Sequence, residues 1–290
     1  MYLMRIGPVG AEAPAVRVGE DRYVDVSDLV GDVDGRFLES VAAASLSSAV
    51  AERVAAGAAR PLEGVRVGPP IARPHQILCV GLNYTDHAAA TGQPLPAEPV
   101  LTTKAPNTLN GPNDPLVLPP GSTRTDWEVE LGVVVGRRAS YLPDERAAEE
   151  AIAGYTLVND VSERALQFDR GGQWVKGKSA PTFTPCGPVL ATRDEIDDVH
   201  GLDLWLDVNG TARQRGSTKD LVFGPAHLVH YLSHFMVLEP GDLICTGTPA
   251  GTGMGSEPPV YLSPGDVVEL GCSPLGRQRS PVVATTPRER

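Results

Sequence analysis

The 290-residue chain is too long for a peptide hormone or a disulfide scaffold, and 41% hydrophobic with 21% charged residues supports a sizeable core and excludes wholesale disorder. Its 31 glycines and 27 prolines show no three-residue period, which excludes collagen and coiled coil and favours short strands joined by shaped loops. With 25 basic against 36 acidic residues, a formal net charge of −11 and no basic run, most of the surface repels a phosphate backbone, so nucleic-acid binding is not expected.

In chain order, residues 1 to about 70 read as a small N-terminal domain: the strand-like pieces AVRVGE and RYVDVS, then ESVAAASLSSAVAERVAAG, helical by propensity with Gly57 near its end. Pro69 and Pro70 punctuate the chain, and residues 71–290 form the second, larger unit. From Ile77 the pattern turns to short β-rich runs, QILCVG, WEVELGVVVG, GYTLVNDVS, GPVLAT, LDLWLDVNG, GDLICTG and GDVVELG, spaced as in a barrel or sandwich. Two helices are expected, Asp144 to Ile152 and Pro225 to Phe235, the second with Leu228, Tyr231, Leu232 and Phe235 on one face. The end, RQRSPVVATTPRER, is polar and broken by proline, and is expected to fray. Cys79, Cys186, Cys245 and Cys272 lie far apart with no CxxC pair and read as buried thiols. The start lacks an apolar signal segment and no stretch approaches the ~18 apolar residues of a membrane span, so the expected location is the cytoplasm.

The strongest chemical signal is TDWEVELGVVVG. Alternation on a strand places Asp126, Glu128 and Glu130 on one face and Trp127, Val129, Leu131, Val133 and Val135 on the other. Two ionised glutamates beside so apolar a run need neutralising, which a divalent cation does; an acidic solvent face on an edge strand is the alternative. Asp160, ending YTLVND, can project into the same site, and three carboxylates around one ion suit Mg²⁺, Mn²⁺ or Ca²⁺.

Lys178, in KGKSAPTFTPCGP, reads either as a donor to a carboxylate or developing oxyanion or as a solvated loop lysine. Arg164 and Gln167, three apart after Asp160, can share a helical face as substrate clamps. TGTPAGTGMG, residues 246–255, lacks both nucleotide-loop spacings, which leaves a sharp turn or a ligand-facing Thr248. His87 follows a strand and a glycine turn, whereas His227, His230 and His234 flank the apolar side of one helix and read as packing or surface residues.

Taken in order, GLNYTDHAAATG, TKAPNTLNGPNDPLVLP, DWEVELGVVVG, NDVSERALQ, QWVKGKSAPTF and CTGTPAGTG resemble the fumarylacetoacetate hydrolase family over about Ile77 to Gly271. The resemblance implies an α+β, mostly β fold with a mixed β-roll core and small N-terminal domain, and a homodimer. It implies Mg²⁺ (or Mn²⁺ or Ca²⁺) held by Glu128, Glu130 and Asp160, substrate contacts at Arg164, Gln167, Lys178 and Thr248, and catalytic work at His87 and Lys178. The implied activity is metal-dependent C–C hydrolysis of an acylpyruvate-like or β-diketo acid. Ala90 stands where the family has a glutamate that completes a His–Glu dyad, and Ala165 and Pro181 replace carboxylates found in many relatives. Asp86 and Glu98 are candidate substitutes for that glutamate. These departures keep open a tautomerase or isomerase, decarboxylase or dehydratase using the same metal–enolate site, and a catalytically silent metal-bound binding protein.

Overall fold

The computed structural model describes residues 1–40, 42–86, 92 and 94–285. Among them, a ten-stranded sheet runs in spatial order Arg60–Pro61, Arg22–Asp25, Ala13–Arg17, Tyr2–Ile6, Leu190–Thr192, Ile152–Asn159, Val129–Val135, Leu243–Cys245, Ile77–Gly81 and Val100–Lys104. A five-stranded sheet holds Thr211–Ser217, Asp203–Val208, Val267–Cys272, Gly276–Ala284 and Leu116–Leu118. The fold is α+β and mostly β, with mixed sheets: Leu243–Cys245 runs antiparallel to Val129–Val135 and parallel to Ile77–Gly81. No described helix is long and apolar enough to cross a membrane.

The β-branched run VELGVVV is buried along its whole length because both faces of the large sheet are covered. Val129, Leu131 and Val133 pack with Leu78, Val80 and Ile244 on one face. On the other, Val134, Val158, Ile77 and Leu243 pack with Leu3, Val16, Val24 and Phe37 from the N-terminal segment. That segment joins the sheet directly, through the pairing of Tyr2–Ile6 with Leu190–Thr192. All four cysteines are buried and free, as their apolar neighbours predict.

Both expected helices form. Glu145–Ala151 starts at Asp144, whose Oδ1 accepts the Ala147 N–H at 2.8 Å. Pro225–Ser233 has its proline in the first turn, where no N–H is missed. Its apolar face is shorter than the spacing suggests: Leu228 and Leu232 are buried, but the helix stops at Ser233 and Phe235 lies beyond it, 63% exposed. His227 stacks between Phe223 and Tyr231 and meets Glu145 at 2.9 Å, and His230 and His234 lie edge to face, so this histidine row serves packing.

Of the tail expected to fray, residues 277–284 are instead strand, and residues 286–290 lie outside the described residues. Gly276–Ala284 pairs antiparallel with Val267–Cys272 and parallel with Leu116–Leu118. Hydropathy misleads here because Gln278 and Ser280 are buried polar residues with partners. The Gln278 amide donates to the carbonyls of Leu157 at 2.8 Å and Gly187 at 3.0 Å, tying the strand to Ile152–Asn159. Gln278→Ala is expected to lower unfolding free energy by about 1–3 kcal/mol in a denaturant titration; a variant as stable as the parent would show that this tie carries no stability.

Candidate metal centre

Strand register brings the acidic residues together. Val129 pairs with Asn159 and Glu130 with Val158 in the antiparallel ladder, and the Asp160 N–H donates to the Glu128 carbonyl at 2.9 Å. Glu128 and Asp160 are thus opposite one another on one face, with Glu130 next along that face. Ligand oxygens of Glu128, Glu130 and Asp160 lie within 4.8 Å of one another, and all three residues are buried. Asp126 extends the row, as the alternation of its strand predicts, because Thr125–Asp126 pairs with Ser162–Glu163.

Three buried cations answer these carboxylates. Lys178, at the end of Val175–Lys178, donates to Glu128 Oε2 at 2.9 Å, Asp160 Oδ2 at 2.5 Å and Ser162 Oγ at 3.0 Å. Lys104 reaches Asp160 Oδ1 at 2.5 Å and the Val161 carbonyl at 3.0 Å. Arg164 begins the helix Arg164–Phe168, capped by Glu163, which accepts the Ala165 N–H. Its guanidinium grips Asp126 Oδ2 twice, at 2.9 and 2.8 Å, and Glu128 Oε1 at 2.7 Å, and it meets Gln167 Oε1 at 3.0 Å. Lys178 is therefore a buried ion-pair partner and not a solvated loop lysine.

The carboxylates differ sharply in balance. Burial acts to raise Asp160, yet Lys104 and Lys178 hold it well below the usual carboxylate range. Burial also opposes ionisation of Glu128, but Arg164 and Lys178 keep it below its ordinary value. Lys178 is held above its ordinary value by Asp160 and Glu128 in spite of its own burial. Glu130 is the exception. Burial, Asp160 and Glu128 all push it well above its ordinary value, Lys178 and the Gly247 N–H oppose this only in part, and it has no described ion pair of its own. Its one described hydrogen bond comes from the Gly247 N–H at 2.7 Å.

The TGTPAGTG loop completes the site by turning N–H groups onto side-chain carboxylates. Gly247, at φ +102°, serves Glu130; Gly253 and Met254 donate to Asp126 at 2.6 and 3.0 Å. Donors that suggest a phosphate cradle are thus occupied by the protein's own acids. The Thr248 hydroxyl donates to the Val129 carbonyl at 2.9 Å and accepts from Gln214 Nε2 at 2.8 Å. Gln214, a residue of the smaller sheet, also accepts the Val129 N–H at 3.0 Å and so locks the two sheets beside the acidic row.

Glu128, Glu130, Asp160, Arg164, Gln167, Lys178 and Thr248 all line one cavity of about 570 Å³. Of the residues singled out in the sequence, His87 and Ala90 lie outside the described residues. Glu98 accepts the Tyr231 hydroxyl at 2.7 Å, and Asp86 Oδ2 accepts the Ala250 N–H at 3.2 Å, next to the Thr248 loop. Lys104, Ser162 and Gln214 were not singled out. Lys104 stands in a strand whose other residues are half-buried or exposed, so no periodicity marks it.

The residues fit a divalent cation. Three hard oxygen donors converge, and four buried carboxylates, Asp126 included, face three buried cations, leaving Glu130 uncompensated. Residues 76–283 match the family model described as fumarylacetoacetate (FAA) hydrolase C-terminal. A Burkholderia multivorans protein, provisionally named a hydrolase, is 47% identical over 279 residues, which are 96% of this chain and 97% of that one. Among solved structures, the chain is similar to a maleylpyruvate hydrolase from Sphingobium sp. SYK-6 in complex with manganese(II) and pyruvate, at 27% identity and TM-score 0.82, covering 99% of this chain and 100% of that one. It is also similar to 5-carboxymethyl-2-hydroxymuconate delta-isomerase from Mycobacterium smegmatis, at 30% identity and TM-score 0.77, again covering 99% and 100%.

Proposed function

Because the chain belongs to the fumarylacetoacetate hydrolase family, we propose that it is a metal-dependent hydrolase cleaving a C–C bond in an acylpyruvate-like or β-diketo acid. The observation that carries this reading is the convergence of Glu128, Glu130 and Asp160, with Lys178 among them, in the lining of a substrate-sized cavity. Glu128, Glu130 and Asp160 would hold Mg²⁺, with Mn²⁺ or Ca²⁺ as substitutes. When bound, such an ion supplies Lewis acidity toward the carboxylate and keto oxygens of a 2-oxo acid. The pyruvate and manganese of the Sphingobium relative support that head group.

The chain's own residues supply the rest. Lys178 stabilises the enolate oxygen that develops as the bond breaks; its three protons are committed to Glu128, Asp160 and Ser162, so one is exchanged for the substrate. Arg164 fixes Glu128 and Asp126, and the Gln167 amide nitrogen, without a described acceptor, is available to the substrate carboxylate. Thr248 lines the same cavity. His87 moves protons: water adds to the acyl carbonyl, the C–C bond to the methylene breaks, and the enolate takes up a proton to leave as pyruvate beside a carboxylic acid. The same reading takes the protein as a cytoplasmic homodimer acting on a small 2-oxo or β-dicarbonyl acid.

Ala90 favours a second reading. Without the dyad carboxylate, an isomerase or tautomerase, decarboxylase or dehydratase needs only the enolate, and one relative bears an isomerase name. Loss of acylpyruvate absorbance with Mg²⁺ or Mn²⁺, release of pyruvate, and acceleration by Ala90→Glu are the expected results for hydrolysis. His87→Ala is expected to lower turnover by about 10²-fold while metal affinity stays unchanged in calorimetry. Full activity of that variant would remove His87 from the mechanism, enol–keto exchange without cleavage would establish the isomerase, and binding of oxalate without any turnover would establish a silent binding protein.

A further inference from the structure

We infer that the cavity takes a 2-oxo acid whose far end is apolar, an alkyl or aryl tail, and disfavours one that ends in a second carboxylate. The inference rests on the reading above, in which the acidic cluster and its ion hold the 2-oxo acid head. The cavity lining is of two chemical kinds. Besides the carboxylates and their cations, its lining holds Val80, Leu82, Phe168, Trp174, Met254 and Pro259. Trp174 and Phe168 meet edge to face, with centroids 6.0 Å apart and planes at 82°. The indole lies directly over Gly81, where an added Cβ would stand 2.6 Å from its Cζ3, so the missing side chain is what admits the ring. Phe168 stays 41% exposed, an apolar ring at the mouth that a hydrophobic tail would cover.

Charge points the same way. Arg164 and Lys178 are the cations of the lining, and both are bound at the head end, Arg164 by Asp126 and Glu128, Lys178 by Glu128 and Asp160. The other charged side chain of the lining is Glu257, itself an acid. Among the described lining residues a distal carboxylate therefore loses water without finding an uncommitted cation and shares the lining with Glu257, whereas a methyl or phenyl end gains contact with two aromatic rings.

The test is calorimetric binding of two acids that lack the bond to be cleaved, 2-oxooctanoate and 2-oxooctanedioate, to full-length protein saturated with Mn²⁺. The monoacid is expected to bind at least about 10-fold more tightly, Trp174→Ala to remove most of that advantage, and Glu257→Lys to tighten the diacid alone. Equal or tighter binding of the diacid by the parent protein would overturn the inference, as would binding of neither acid. A preference for the monoacid in a protein that cleaves no acylpyruvate would refute C–C hydrolysis and leave the tail assignment standing; rapid cleavage with the diacid preferred would do the reverse.

Discussion

Asp160→Asn is expected to abolish Mn²⁺ and Mg²⁺ binding and to destabilise the metal-free protein, whereas Glu130→Gln weakens binding but stabilises it. Asp160 accepts both Lys104 and Lys178 at 2.5 Å, so a neutral amide there leaves two buried ammonium groups short of their counter-charge. Removing one partner of such a buried pair costs about 3–5 kcal/mol. Glu130 has no described ion pair, and an amide oxygen can still accept the Gly247 N–H, so Glu130→Gln removes an uncompensated buried charge and gains about 1–3 kcal/mol. The sign follows from linkage. A carboxyl raised in the folded state costs stability above its unfolded-state value, so the gain from Glu130→Gln is greatest near neutral pH and fades as the pH falls below the ordinary glutamate range. Metal titration by calorimetry and denaturant melts in chelator across pH measure both effects. A less stable Glu130→Gln, or an Asp160→Asn as stable as the parent, would contradict this account of the charges.

Lys178→Met carries the second large effect. Losing a buried donor aimed at a developing oxyanion is expected to cost about 10²–10³-fold in kcat on an acylpyruvate. Affinity for Mn²⁺ should hold or rise, because an ammonium that shares Glu128 and Asp160 with the ion is gone. Steady-state kinetics and calorimetry on one preparation separate the two. Parental kcat would take Lys178 out of the chemistry, and lost metal binding would make it a structural support of the ligands.

The parts of the site legible in the amino-acid order are those governed by local rules. Period-two alternation put Glu128 and Glu130 on one face, and Asp160 stood out as the end of a strand. Their meeting depends on antiparallel register between segments some thirty positions apart, and a slip of one residue would turn either carboxylate to the opposite face. Arg164 and Gln167 share a helical face as their spacing suggests, but that the guanidinium is gripped by Asp126 follows only from the pairing of Ser162 with Asp126. Lys104 and Gln278 were invisible for a common reason: each is a polar residue buried by a distant partner, with no local pattern to mark it. The helix of Pro225–Ser233 was located by its spacing, yet its face was drawn one turn too long because nothing local marks Ser233 as its end.

The two kinds of cavity lining are made from different kinds of chain. Glu128, Glu130 and Asp160 belong to central strands or their immediate ends, with Gln214 clamping them from the second sheet. Phe168, Trp174 and Met254 come from short helix ends and loops at the periphery. Inheritance can therefore treat them separately: drift at the periphery retunes which acid is accepted without disturbing the ion-holding frame, while a change in the frame costs folding itself. Divergent catalysts descended from one such ancestor should vary most at positions 168, 174 and 254 and least along the acidic row.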